Sequence, residues 1–111
     1  MTKVTFSSQG GRFLSVDILG HAGYAEEGED IVCAAISSAV MLTTVLLDDI
    51  QHVPVESTAD EDNTHIHIEL QQGGVERGQD ALSALHLYLS VLEQNYPDFI
   101  SVMEVHTDAE D

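Results

Sequence analysis

The chain has 111 residues, 43% of them hydrophobic, which suits one domain with an ordinary packed core and argues against a disordered protein. Twenty acidic residues stand against three basic ones, and the net charge of −17 argues against direct binding to a nucleic-acid backbone. The charge favours a basic partner through long-range attraction, or it serves only to keep the protein soluble.

The sequence gives no reason to expect a membrane partner or secretion. The longest apolar stretch, residues 31–50, is interrupted by two serines, two threonines and two aspartates, whereas a membrane span needs roughly 20 predominantly apolar residues. The N-terminal sequence MTKVTFSSQGG lacks the apolar region of a secretion signal. One cysteine cannot form a disulfide within the chain, and we therefore expect a reducing, cytoplasmic location.

The first two predicted elements are strands. VTFSS and FLSVDILG alternate apolar and polar residues, which predicts strands over roughly residues 2–8 and 12–20. The pair Gly10-Gly11 between them predicts a tight turn.

A helix follows over about residues 31–49, with Asp30 as its N-cap. Apolar residues recur at helical spacing and small residues cover most of the remaining circumference, which predicts a helix buried on most sides. The apolar positions are Ile31, Val32, Ala35, Ala39, Leu42, Leu46 and Ile50. Met41 in this helix, and Met103 near the end of the chain, are expected to fill the core.

The second half repeats the pattern of two strands and a helix. Strands are predicted at 54–58 and 64–70, joined by an acidic turn over 59–63. An amphipathic helix is predicted at about 79–95, ended by Pro97, with its apolar face made by Leu82, Leu85, Leu89 and Leu92. A last strand at 99–105 precedes an acidic tail that is expected to fray.

The order ββαββαβ predicts the fold class. We expect an α+β, two-layer domain over residues 1–111, in which two helices pack on one face of a mixed or antiparallel sheet of about five strands.

The stretch GHAGYAEEGEDIVCAAIS contains the candidate catalytic residues. Cys33 at the start of the helix would lie near unpaired backbone N–H groups, which lower a thiol pKa and can hold an oxyanion. His21 precedes Cys33 by twelve positions and could act as its base. Asp30 could orient His21 or cap the helix, and its role stays open.

The acidic residues, the cysteine and the loop before it also have explanations that involve no catalysis. The acidic residues near the thiol oppose formation of a thiolate, and a lone cysteine is often a buried, inert core residue. The segment before Cys33 is either a flexible flap over a cleft or an ordinary solvated loop. It comprises Ala22, Gly23, Tyr24, Ala25, Glu26, Glu27, Gly28 and Glu29.

His65 and His67 would share one face of their strand and could form the edge of a metal site. The sequence offers no clear third ligand, so we predict no metal and no cofactor and expect solvated or cross-strand histidines instead.

The motif resembles that of the bacterial ribosomal-processing cysteine proteases (Prp), whose pattern is G-H-A, a variable loop, then G-x-D-x-V-C-A-x-x-S. The first part corresponds to Gly20, His21 and Ala22. The second part corresponds to Gly28, Asp30, Val32, Cys33, Ala34 and Ser37. The late leucine-rich helix, NYPDFI and the closing strand SVMEV also look like that family, so the resemblance covers nearly the whole chain.

The resemblance implies a cysteine endopeptidase in which Cys33 is the nucleophile and His21 the base, while the amides of Cys33 and Ala34 hold the oxyanion. Gly20, Asp30 and Ser37 are candidate supporting residues. Gly20 is expected to give backbone freedom at the end of the loop, and Ser37, one turn beyond Cys33 on the same face, either makes a hydrogen bond or simply permits close packing.

The resemblance also implies removal of the N-terminal extension of a large-subunit ribosomal protein precursor, needed for ribosome assembly, by a homodimer. The alternative from another class is a non-catalytic acidic binding module or chaperone for a basic ribosomal protein. The reactivity of Cys33 in the folded protein distinguishes the two, because a nucleophilic thiol should react with iodoacetamide and a buried core thiol should not.

Overall fold

The computed structural model describes residues 1–20 and 27–107, and for residues 27–30 it describes the backbone alone. The two N-terminal strands form the predicted hairpin, with β1 at Thr2–Gln9 and β2 at Arg12–Leu19. Gly10 and Gly11 have φ angles of 61° and 81°, a left-handed conformation that glycine adopts without a steric penalty.

The sheet contains five strands in the order β3-β4-β2-β1-β5. The additional strands are β3 at Val55–Asp60, β4 at His65–Leu70 and β5 at Ile100–Thr107. β5 pairs in parallel with β1 while the other neighbours are antiparallel, so the sheet is mixed, one of the two arrangements that the sequence predicted.

The two helices are α1 at Glu27–Thr44, continued by a π-helical segment at Val45–Ile50, and α2 at Gln79–Asn95. The inner face of α2 is the predicted one, because Leu82, Leu85, Leu89 and Leu92 are all buried. These leucines join one hydrophobic core with Val4, Phe6, Val16, Ile18, Ile68 and Ile100 of the sheet and with the inner residues of α1.

The prediction that α1 is buried on most sides is wrong. Its inner face consists of Val32, Ile36 and Val40, followed by Leu47 in the π-helical segment. Of the predicted core positions, Val32 is buried and Ala35 and Ala39 pack partly against the core. The others lie on an outer face, which includes Ile31 (50% exposed), Met41 (69%), Leu42 (71%), Leu46 (37%) and Ile50 (66%). A helix with apolar residues around its circumference does not indicate in its sequence which face meets the sheet.

The apolar stretch Ile31–Ile50 has the length and mean hydropathy of a membrane-spanning helix, with 28% of it buried. Core helices of soluble proteins meet the same criteria, so this is weak evidence for a span. Met103 on β5 is 52% exposed, and its expected place in the core is also wrong. It lies on the sheet face opposite the helices, because it alternates with Val102, which packs against the core.

Candidate active site

Cys33 lines a cavity of about 400 Å³ between α1 and one end of the sheet, and its side chain is partly buried. Ser37, one helical turn later, lines the same cavity and is exposed, which fits the prediction that both residues share one face of the helix. The sheet contributes residues from the ends of β1, β2, β3 and β4, from Gly20 just after β2, and from the β3–β4 turn. The cavity-lining residues of the sheet and turn are Thr2, Ile18, Gly20, Ala59, Asp60, Glu61, Thr64, His65 and Ile66.

The start of α1 differs from the prediction. The helix begins at Glu27, so Asp30 lies inside it and does not cap it. Cys33 is therefore the seventh residue of the helix and not a residue of its first turn. In a continuous helix the amides of Cys33 and Ala34 donate to carbonyls four residues earlier, so they are not the unpaired donors expected for an oxyanion site.

Gly20 is held at the cavity by Thr64, the residue that precedes β4. The Gly20 amide donates to the Thr64 carbonyl at 2.8 Å, and the Thr64 hydroxyl donates to the Gly20 carbonyl. Gly20 does not adopt a left-handed backbone, and an added Cβ would meet ordinary contacts at 3.9 Å. The backbone freedom predicted for Gly20 is thus replaced by a fixed anchor at the end of β2.

His21 follows Gly20 in the sequence and lies outside the described residues, as do residues 22–26. Of the predicted flexible loop, Glu27, Gly28 and Glu29 belong to the first turn of α1. Among the predicted site residues that the structure describes, Cys33, Ser37 and Gly20 line the same cavity.

The rim of the cavity is acidic at the β3–β4 turn, where Asp60 and Glu61 contribute. A hydrogen bond from the Asn63 side chain at 2.7 Å lowers the pKa of Asp60, assisted by the Asn63 and Asp62 amides, so Asp60 is a carboxylate at neutral pH. The sequence predicted only an acidic turn here, with no link to Cys33. Its place beside Cys33 follows from strand pairing, which has no local sequence signal.

The two histidines of β4 meet an aspartate of β2 on the sheet face opposite the helices, and His65 also borders the Cys33 cavity at the end of its strand. His65 Nε2 lies 2.8 Å and His67 Nδ1 lies 2.7 Å from Asp17 Oδ1, and His67 Nε2 lies 3.0 Å from Glu69 Oε1. Partial burial acts to raise the pKa of Asp17, but the hydrogen bonds and charges of the two histidines outweigh it, and the pKa is lowered. For His67, partial burial is likewise outweighed by Glu69 and Asp17, so its pKa is raised.

Comparison with known proteins decides the class of the molecule. The family model described as cysteine protease Prp matches residues 1–101. The chain belongs to the Prp family of cysteine proteases. It is accordingly an enzyme, which confirms the class inferred from the motif around Cys33 and sets aside the non-catalytic alternative.

Solved structures share the Prp fold. SMU.848 from Streptococcus mutans matches with a TM-score of 0.86 and 30% identity, over 96% of this chain and 99% of that chain. The essential ribosomal processing protease Prp from S. aureus, in complex with a substrate peptide, matches with a TM-score of 0.86 and 23% identity. The same protease with a covalently linked product peptide gives 0.82 and 24%. Each S. aureus match covers 95% of this chain and 100% of that one. No curated protein matches the chain in sequence.

Proposed function

We propose that this chain removes the N-terminal extension of a large-subunit ribosomal protein precursor, with Cys33 as nucleophile and His21 as base. The observation that carries the proposal is that a member of a cysteine protease family has a single cysteine, and that this cysteine lines a cavity. Gly20, the sequence neighbour of His21, lines the same cavity.

The proposed reaction is acyl transfer. The Cys33 thiolate attacks the scissile carbonyl, His21 protonates the leaving amine, and a thioester to Cys33 forms. Water, deprotonated by His21, then hydrolyses the thioester and releases the extension as a carboxylic acid with the free thiol.

The residues proposed to support catalysis would act from different positions in α1. The amides of Cys33 and Ala34 could hold the oxyanion only if the first turn of α1 opens, because a continuous helix occupies them. Ser37 could reach a bound peptide directly, since it is exposed at the cavity. Asp30 would orient His21 from within the helix.

The charge of the molecule supports a basic substrate. The net charge is −17, and the acidic residues Asp60 and Glu61 line the cavity itself. A basic ribosomal protein would be attracted to such a surface before it docks. The S. aureus relative, whose name specifies ribosomal processing, was solved with a substrate peptide, which also supports this class of substrate.

The test is incubation of the precursor with wild-type protein and with the Cys33→Ala variant, followed by intact mass measurement of both. We expect wild type alone to release an N-terminal peptide, while the mature form of the same ribosomal protein stays intact. Binding of the precursor by both proteins without cleavage by either would contradict the proposed substrate.

We also propose that the protein is a cytoplasmic homodimer that buries the outer face of α1. The exposed apolar residues Met41, Leu42 and Ile50 on this helix are unfavourable in water, and a second copy would cover them. Leu42→Glu is expected to shift the mass in sedimentation equilibrium from dimer to monomer. Met103→Glu on the opposite side of the sheet is the matched control, and dissociation by this variant alone would place the interface on the sheet.

A further inference from the structure

We propose that Asp17, His65 and His67 form a binding site for a divalent transition-metal ion such as Zn²⁺ on the sheet face opposite the helices, next to the edge where His65 also borders the Cys33 cavity. The sequence supplies the two histidines of β4 but no evident third ligand. The structure supplies Asp17 from β2, and one ligand atom from each of the three residues lies within 4.8 Å of the others.

The distances fit an ion after small side-chain movements. Asp17 Oδ1 is now 2.8 Å from His65 Nε2 and 2.7 Å from His67 Nδ1. Tetrahedral zinc with bonds of about 2.0–2.1 Å separates its ligand atoms by roughly 3.3 Å, so the carboxylate oxygen must withdraw from each nitrogen by about half an ångström. The ion would take the place of the ring protons that now point at the carboxylate.

The ring nitrogen of His67 that faces away from the proposed ion also has a hydrogen-bond partner, a carboxylate of the kind that supports metal binding by histidine. Glu69 Oε1 accepts a hydrogen bond from His67 Nε2 at 3.0 Å, which turns His67 Nδ1 toward Asp17. Histidine ligands commonly donate their second N–H to a carboxylate, which fixes the ring and increases its basicity. The cluster therefore has an orienting group as well as three ligand atoms.

The backbone holds these residues in place. Asp17 pairs directly with His67 in the β2–β4 register, and the two histidines alternate with Ile66, which packs against the core. The three ligand side chains are 25–38% exposed, so an ion can enter from solvent and a fourth position stays open to water.

The ligand chemistry selects the class of ion. Two imidazoles and one carboxylate suit zinc, nickel and copper, whereas calcium and magnesium prefer a shell of oxygen atoms. Such an ion would tie β2 to β4 at the end of the strands where Thr64 holds Gly20, and would stabilise the folded state without taking part in proteolysis.

The test uses the full-length Cys33→Ala protein, so that the thiol cannot bind the probe metal. Isothermal titration with ZnCl₂ is expected to show one saturable site, and Asp17→Asn or His67→Gln is expected to weaken it by roughly tenfold or more. His52→Asn removes an exposed histidine outside the cluster and is expected to leave the affinity unchanged. MgCl₂ and CaCl₂ should give no binding at this site.

A second readout does not depend on the variants folding. Nitrogen-15 spectra of the histidine rings should show zinc-dependent shifts at His65 Nε2 and His67 Nδ1 and none at His52. The proposal is overturned if zinc shows no saturable binding, or if Asp17→Asn and His67→Gln bind as tightly as the parent while the two ring nitrogens stay unshifted.

Discussion

At the scale of single residues, the candidate site depends on a contact between Thr64 and Gly20. The Thr64 hydroxyl and carbonyl engage both backbone polar groups of Gly20, and the Gly20 carbonyl belongs to the peptide bond that leads to His21. Thr64 itself has a φ of 48°, which is uncommon for a β-branched residue. We infer that Thr64 is a positioning residue for the proposed base.

Replacing Thr64 by valine removes the hydroxyl but keeps the shape and the backbone hydrogen bond. We expect kcat to fall roughly five- to tenfold with KM little changed, because a hydrogen bond contributes about 1 kcal/mol and a factor of ten in rate corresponds to about 1.4 kcal/mol. Steady-state kinetics on a precursor peptide measures the effect.

Two controls accompany this variant. Thr64→Ser keeps a hydroxyl and should retain most of the activity, and Thr58→Val makes the same change at an exposed position of β3. Equal losses in Thr64→Val and Thr58→Val, or a loss confined to KM, would contradict the positioning role.

Which residues could be predicted at this scale depends on the distance between them along the chain. Cys33 and Ser37 were placed on one surface from their spacing alone, since helical periodicity is local. Thr64, Glu61 and Asp17 reach their partners only through the β2–β4 pairing and the turn after β3. Register is a property of the folded sheet, and no sequence signal near these residues specified it.

At the scale of elements, the two helices differ in how clearly their sequences define a buried face. α2 has a continuous row of buried leucines on one side, whereas its outer side mixes polar residues with the exposed Leu87, Tyr88 and Val91. Both its boundaries and its inner face were predicted. α1 is apolar on several sides, so its inner face was misassigned. Its start was also misplaced, because Asp30 has the chemistry of a cap but lies within the helix.

The asymmetry of α2 gives a stability prediction from one matched pair of substitutions. Leu89→Ala, at a side chain that is 0% exposed, should lower the free energy of unfolding by about 2–5 kcal/mol through lost burial and a cavity. Leu87→Ala, at a side chain that is 66% exposed, should change it by less than about 0.5 kcal/mol.

Urea denaturation followed by circular dichroism measures both variants. The two substitutions share the same change in helix propensity, so their difference reports burial alone. Similar losses for the two variants would mean that the inner face of α2 has been assigned incorrectly.

At the scale of the whole molecule, the mixed sheet and the charge have different origins in the sequence. The element order was enough to predict a two-layer fold, but the parallel pairing of β1 with β5 joins the two ends of the described chain. Local patterns contain no information on such a pairing. The charge of −17 is a global property read directly from composition, and it bears on association more than on the fold.

The charge predicts how cleavage responds to salt. We expect kcat/KM for a basic precursor to fall several-fold as ionic strength rises from about 0.05 to 0.5 M, because the screening length shortens to a few ångströms. Cleavage kinetics at increasing NaCl measures this effect. A peptide with the same cleavage site but neutral flanking residues should show little salt dependence. If kcat/KM falls equally with NaCl for the two substrates, electrostatic attraction does not contribute to substrate binding.

The most direct test of the central claim is to trap the acyl-enzyme. Wild-type protein is mixed with precursor, quenched in acid during turnover and measured by intact mass, with fragmentation to locate any adduct. We predict a hydroxylamine-sensitive adduct equal to the N-terminal extension on Cys33, and none in Cys33→Ala. Cleavage of the precursor by Cys33→Ala at the wild-type rate, with no adduct in either protein, would contradict the assignment of Cys33 as the nucleophile.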